Sequence, residues 1–321
     1  MLSKSLKHSY SFLVLFLLMG LISTHLHSQE NFPKNPDVGV LVLAHGSLDK
    51  NWNSSILEVT DPLKEDYYVE IAWGMSNALN MQPAIDKLQE MKVNTIVVVQ
   101  LFVSSFSPII RQNEYLLGLR DSLADSPMPM MIHDMVNHKM TMKMPENLQP
   151  LNIDPDIEVI LTDPLDDHPL VAEILMDRIQ KLSVDPSKET VLLVAHGPNS
   201  ESDNDNWIRT SESLANQLSK LQNKNGESFA DIVSMTVRDD ADEEVHEKAK
   251  QEFRSKVIEA NTKGDAFVIP LLLSQGGVEK KYLSRLEGLN YKWTGETLLP
   301  HYNIARFIQI SIENALNYSV N

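Results

Sequence analysis

The sequence predicts an α/β protein made of two tandem, doubly wound parallel-sheet domains with a cleft between them. Two observations carry that prediction. Hydrophobic runs of strand length alternate with amphipathic stretches of helical length, the order of parallel strands joined by crossover helices. In addition, the run Val40-Leu41-Val42-Leu43-Ala44-His45-Gly46-Ser47 returns as Val191-Leu192-Leu193-Val194-Ala195-His196-Gly197-Pro198. Each copy reads as a strand buried on both faces. The glycine after each histidine lets the chain turn sharply out of the strand. Each imidazole is thereby delivered to the carboxyl edge of a sheet, where open α/β folds bind ligands.

Residues 1–28 read as a secretory signal peptide. Lys4, Lys7 and His8 form a basic start, Phe12 to Ile22 an uncharged apolar core, and Leu26-His27-Ser28 a cleavage site. Those eleven apolar residues fall short of the roughly 20 needed to span a bilayer. The expectation is an exported protein, periplasmic or extracellular, with no stable membrane insertion once the signal is removed.

A linker from Asn31 to Asp37 precedes the first strand, Val38 to Ala44. A helix is predicted around Asn53 to Pro62 and a strand around Tyr67 to Ala72. Ile85, Leu88 and Met91 set a helical period over Gln82 to Met91. Thr95 to Val103 is a third buried strand, and Ile109 to Leu123 a helix. Glu158 to Leu161 reads as a strand and Pro169 to Leu182 as a helix. Asp185-Pro186-Ser187 marks the boundary, so the first domain covers 36–184 and the second 185–321. The second repeats the order with strands at Thr190 to Ala195, Asp231 to Val237, Ala266 to Leu273 and Thr294 to Leu298. Its helices are placed at Asn204 to Leu221, Ala241 to Ala260, Glu279 to Leu286 and Asn303 to Leu316. At an offset of 170, Leu101, Ser104, Leu116, Gly118 and Leu119 match Leu271, Ser274, Leu286, Gly288 and Leu289 without a gap. Duplication places both lobes in one chain, so a monomer is expected.

Composition narrows the function. The chain has 321 residues, 42% of them hydrophobic and 22% charged, as in ordinary globular proteins. The formal charge is −16, or −18 without Lys4 and Lys7, which argues against nucleic acid as a partner. Cysteine is absent. No disulfide or thiolate is available, and any metal site must be built from His, Met, Asp, Glu and backbone. There is no Walker loop, GxGxxG, HExxH or GxSxG motif, so no nucleotide is expected.

Each half places a second histidine after its last strand: His168 before Pro169, and His301 before the final helix. Neutral imidazole is the commonest nitrogen ligand of divalent metals, so His45, His196, His168 and His301 are the candidate ligands. Arg238 ends a strand at the same edge, where its guanidinium suits a carboxylate side chain of a ligand. Asp239 or Asp240 is expected to cap the helix that follows. Between the predicted elements, 128–144 holds seven of the fourteen methionines with His133 and His138. Thioether and imidazole together select soft copper. Methionine is also a pliable cover for a flat apolar ligand, and an ordinary hairpin explains the stretch as well.

These features together resemble a known family. Leu43-Ala44-His45-Gly46-Ser47, Val99-Gln100-Leu101-Phe102-Val103-Ser104 and their second copies, Val194-Ala195-His196-Gly197 and Ile269-Pro270-Leu271-Leu272-Leu273-Ser274-Gln275-Gly276-Gly277, are similar to motifs of the class II tetrapyrrole chelatases, in particular the sirohydrochlorin cobaltochelatase (CbiX/SirB) group. Pro164-Leu165-Asp166-Asp167-His168-Pro169 resembles a turn of that family. The resemblance implies two tandem chelatase-like units and insertion of Co²⁺ or Fe²⁺ into a tetrapyrrole without ATP. It makes the metal and the macrocycle the partners, His45 the metal ligand and proton acceptor, and His196 its pseudo-twofold counterpart. It also implies a second histidine after the Leu-Ser turn, where this chain has Pro108 and Val278. Glu279, beside Val278, is the candidate replacement as proton acceptor and ligand. The alternative is a protein that keeps the fold and binds a tetrapyrrole or metal, copper or cobalt, without inserting it.

Overall fold

The computed structural model describes residues 33–319 apart from 48–49, 124–126, 135–138, 147, 222–225, 227 and 276–277. The expected signal peptide therefore lies outside the described residues. In chain order the elements are β1 (Val38–Ala44), α1 (Lys50–Thr60), β2 (Tyr68–Trp73), α2 (Ala78–Glu90), β3 (Thr95–Leu101), α3 (Pro108–Leu116), β4 (Met130–Asp134), β5 (Lys139–Lys143), β6 (Glu158–Leu161), α4 (Pro169–Gln180), β7 (Glu189–Ala195), α5 (Glu201–Lys220), β8 (Asp231–Thr236), α6 (Glu243–Lys263), β9 (Asp265–Leu271), α7 (Val278–Arg285) and α8 (Tyr302–Ser319).

Two parallel sheets result. The first has the order β2-β1-β3-β6 and the second β8-β7-β9; β4 and β5 make a separate antiparallel hairpin. The central strands β1 and, from Val191 onward, β7 are apolar because both of their faces are covered. On β1, Leu41 and Leu43 pack with Met81, Ile85 and Leu88 of α2. The alternate residues Val40, Val42 and Ala44 face Ile56, Leu175 and Ile308 on the other side. On β7, Leu192 and Val194 meet Phe253 and Val257 of α6. Val191, Leu193 and Ala195 join the same core as Val40 and Val42. One apolar cluster thus runs between the two sheets, and 34–321 form one compact unit. Each fully buried Val, Leu or Ile in it contributes about 1.5–3 kcal/mol relative to exposure.

The helices that fill this shared core are exchanged. The helix α4 follows the first sheet in sequence but packs on α5 and β9 of the second half. The last helix, α8, packs on β3 and α1 of the first. Arg178 of α4 fixes the arrangement: buried, it donates to the carbonyls of Thr297 (3.0 Å) and Pro300 (2.8 Å) just before α8.

Most predicted elements form, with shifted ends. The helix α2 starts earlier than expected, because Asn77 caps it by accepting from the Leu79 N–H at 3.0 Å. The helix α3 stops at Leu116, since Gly118 adopts φ 73° and turns the chain away. The strand expected at Thr294 to Leu298 does not form. Only Lys292 bridges β9, opposite Phe267, and Gly295 at φ 74° then takes the backbone out of the extended region. The methionine-rich stretch contains the β4–β5 hairpin.

Candidate functional site

His45 and His196 follow β1 and β7 at the carboxyl edges of the two sheets, as their sequence context predicts. Gly46 (φ 72°) and Gly197 (φ 76°) both sit in the left-handed region, which only glycine enters without strain. That turn folds each imidazole back over its own chain. His45 Nδ1 lies 2.7 Å from the Gly46 carbonyl oxygen, and His196 Nδ1 lies 2.9 Å from that of Gly197. A carbonyl only accepts, so Nδ1 carries the proton in both rings. Each Nε2 keeps its lone pair for a metal or a proton.

The surroundings of the two rings differ. His45 is half-buried beside Trp52, whose ring centre is 6.2 Å away. Burial pushes its pKa below the ordinary histidine value, and the neighbouring charge of His196 acts the same way. The Gly46 carbonyl and the more distant Asp240 oppose that shift. His45, His196 and Asp240 are thus near enough to influence one another's charge. Asp240 Oδ2 stands 3.4 Å from His196 Nε2.

Asp240 is the residue that sequence reasoning passed over. It was expected, with Asp239, as a helix cap, but Asp242 caps α6 by accepting from the Val245 N–H at 3.0 Å. Asp239 is buried and paired with Arg285. Asp240 alone of the run turns to a histidine. Counting on equally from the register pairs Ala44–Trp73 and Ala195–Thr236 brings Asn77 to the place of Asp240 in the first half. Asn77 is spent on capping α2, so the acid is present on one side only. The signal was available in principle, as the repeat register, but that register is fixed only by the strand pairing.

The other predicted site residues are used differently. His168 caps α4, its Nδ1 accepting from the Leu170 N–H at 3.2 Å while its ring meets the Phe307 ring edge-on. Burial pushes its pKa down. His301 precedes α8 in the same way, with Nδ1 accepting from the Asn303 N–H at 3.1 Å and Nε2 at 3.1 Å from Asp177. Their repeated placement reflects a shared helix start. Among the described residues no three His, Asp or Glu gather closely enough to hold a metal, so the four histidines do not converge as one ligand set. Arg238, at φ 52°, directs its guanidinium to the Glu201 carboxylate, at 3.1 Å to each oxygen, and to the Asn199 carbonyl at 2.6 Å. It tethers the loop after His196 and is not offered to a ligand. Pro108 opens α3 behind the Ser107 cap. Val278 opens α7, and the side chain of Glu279 lies outside those described. Two cavities, of about 920 and 330 Å³, lie along α6, around Glu244 and around Lys281, and neither includes His45 or His196 in its lining.

The turn at 164–169 serves to join loops. Asp166, at φ 40°, accepts from the Ser105 N–H at 2.8 Å and from the Ser105 hydroxyl. It thereby ties the loop after β3 to the start of α4. Burial pushes its carboxyl pKa up in spite of these bonds.

The CbiX family model matches residues 39–109, from β1 to the start of α3. No curated protein matches the chain. Among solved structures, the chain is similar to the sirohydrochlorin chelatase SirB from Bacillus subtilis subspecies spizizenii in complex with cobalt, with a TM-score of 0.56 at 14% identity, over 88% of this chain and 96% of that one. CbiX, described as the terminal enzyme for biosynthesis of siroheme in denitrifying bacteria, matches with a TM-score of 0.50 at 14% identity, over 87% of this chain and 99% of that one. DR2241 from Deinococcus radiodurans, a multi-domain protein with structural similarity to chelatases, matches with a TM-score of 0.50 at 16% identity, over 85% of this chain and 54% of that one. A CbiX pattern across the first strand and its histidine, with similar folds over nearly the whole chain, gives this α/β protein a chelatase-like fold.

Proposed function

We propose that the protein inserts a divalent metal, Co²⁺ or Fe²⁺, into a tetrapyrrole without a nucleotide, and does so after export as a monomer. The observation that supports this reading is the matched pair of imidazoles. Both stand at sheet edges with Nδ1 engaged and Nε2 presenting a lone pair. The SirB structures hold cobalt or Fe³⁺ on a similar fold.

Insertion of M²⁺ into a free-base macrocycle displaces two pyrrolic protons, so the site must hold the metal and accept protons. His45 is suited to the metal. Its lowered pKa keeps Nε2 unprotonated in mildly acidic solution, where an ordinary imidazole is already a cation. His196 is suited to the protons, because Asp240 beside its Nε2 stabilises the imidazolium that forms. Trp52, edge-on to Trp73 at 6.2 Å, backs His45 and holds the ring in place.

A second reading has specific support. The positions where the family resemblance implies a further histidine are Pro108 and Val278, and no three-ligand cluster occurs among the described residues. A carrier that binds the macrocycle or its metal complex fits those facts. A visible absorption titration with sirohydrochlorin, followed by Co²⁺, separates the two. A chelatase gives a binding shift and then protein-dependent conversion to the cobalt spectrum, which His45→Ala abolishes while leaving the first shift. A carrier gives the shift alone. Absence of both ends the tetrapyrrole reading.

A further inference from the structure

The cavity of about 330 Å³ has no part in the chelatase reading. It lies between the loop after β8, which contributes Asp239, the start of α6, with His246 and Lys250, and α7, with Lys281, Ser284 and Arg285. Its size is at the lower end of small-ligand pockets, which run from about 300 to 1,000 Å³. Lys250, Lys281 and Arg285 bring three positive charges to it against the single carboxylate of Asp239. That balance stands out in a chain whose formal charge is −16.

The charges are not used up within the protein. The side chains of Asp239 and Arg285 are 2% and 4% exposed and pair with each other through Asp239 Oδ1. Arg285 also donates to the Val237 carbonyl at 2.5 Å, so the buried side of the cavity is held rigidly. The second carboxylate oxygen, Asp239 Oδ2, is buried and makes no hydrogen bond. Lys281 Nζ stands 3.6 Å from it, near enough to attract but beyond hydrogen-bond reach. Lys250 meets Glu247 at 3.1 Å, with both side chains substantially exposed. A surface pair of this kind is worth little, so Lys250 can turn to a ligand at small cost. With Asp239 and Arg285 cancelling, the cavity offers two ammonium groups as donors and one carboxylate oxygen as an acceptor in want of a donor.

A ligand that satisfies all three must be an oxyanion that still carries a hydroxyl. Phosphate at neutral pH has both, anionic oxygens and at least one P–O–H. Sulfate has no hydroxyl and would set its oxygens against Asp239 Oδ2. We propose that the cavity lined by Asp239, Lys250, Lys281 and Arg285 is a binding site for inorganic phosphate. It uses neither of the histidines at the sheet edges and is independent of the chelatase reading.

The test is isothermal titration calorimetry of the full chain with phosphate, run beside sulfate at matched ionic strength and neutral pH. The expected result is one phosphate bound, with sulfate weaker by about 10-fold or more, the difference being the hydrogen bond that only phosphate gives Asp239. Lys250→Gln/Lys281→Gln should weaken phosphate by about 10-fold or more for each charge-assisted bond removed. Lys248→Gln/Lys280→Gln takes the same two charges from the same helices outside this cavity and should leave binding nearly unchanged. Asp239→Asn should narrow the gap between phosphate and sulfate. It also breaks the pair with Arg285, so circular dichroism must show that it folds; if it does not, the phosphate-to-sulfate ratio of the parent decides the same point. Absence of phosphate binding, sulfate bound as tightly as phosphate, or equal weakening in the two lysine pairs would overturn the proposal. His45→Ala/His196→Ala should bind phosphate as the parent does, so the outcome is separate from that of the chelatase assay.

Discussion

At the scale of single residues, two similar Ala-His-Gly turns acquire different chemistry from their neighbours. Burial beside Trp52 depresses the His45 pKa, so its unfolded state holds more protons than the folded state just below the ordinary value of about 6.5. The contribution of this group to stability is therefore full above about pH 6.5 and is lost as pH falls through its folded pKa. The same sign applies to His168. Urea melts between pH 7 and pH 5 should show falling stability with acid, and replacing both histidines by Gln should flatten that slope. Metal insertion should keep its activity below pH 6.5, with the acid limb of the rate profile lying under the ordinary histidine value. Asp240 is mostly exposed and stands against His196. Asp240→Asn should leave stability within about 0.5 kcal/mol and slow conversion of the macrocycle by about 10-fold or more, read as kcat with KM little changed.

At the scale of elements, the strand-to-loop turn decides where each imidazole points. Gly197 has no room for a side chain, because a Cβ there would stand 2.5 Å from Thr236 Cβ of β8. Gly118, also in the left-handed region at φ 73°, would meet nothing within 4 Å. Gly118→Ala should therefore cost only the backbone strain of about 1–2 kcal/mol. Gly197→Ala adds a clash of the turn after β7 against Thr236 of β8, should cost more, and should displace His196. Paired thermal melts and cobalt titrations check both.

At the scale of the whole molecule, the halves are held together by more than their linker. The helices α4 and α8 are exchanged between the sheets, and one apolar cluster spans both. Arg111 of α3 pairs with Asp203 of α5 at 2.9 and 3.2 Å, largely shielded from water. Trp207 Nε1–H donates to the Phe106 carbonyl at 2.7 Å. Asp203→Ala removes this partly buried ion pair and should cost about 2–3 kcal/mol, below the 3–5 kcal/mol of a fully buried pair. Because the core is shared, chemical unfolding of the parent should follow one transition by fluorescence and by circular dichroism. Two separated transitions would contradict the common core.

The sequence by itself determined the central parallel strands β1, β3, β7 and β9, because burial on both faces writes a continuous apolar run that composition cannot hide. It also determined the two Ala-His-Gly turns. It did not reach the strand expected at Thr294 to Leu298, since local β-propensity carries no information about whether an edge finds a partner. It read His168 and His301 as ligands because a histidine that caps a helix and one that binds a metal look alike until the N–H it accepts is seen. Arg238 was read as open for the same reason, its partner Glu201 being 37 residues away in sequence. Only the tertiary structure decided the exchange of α4 and α8 and the placing of Asp240 against His196. Each of these depends on register or packing between segments far apart in the chain, where no short-range pattern reaches.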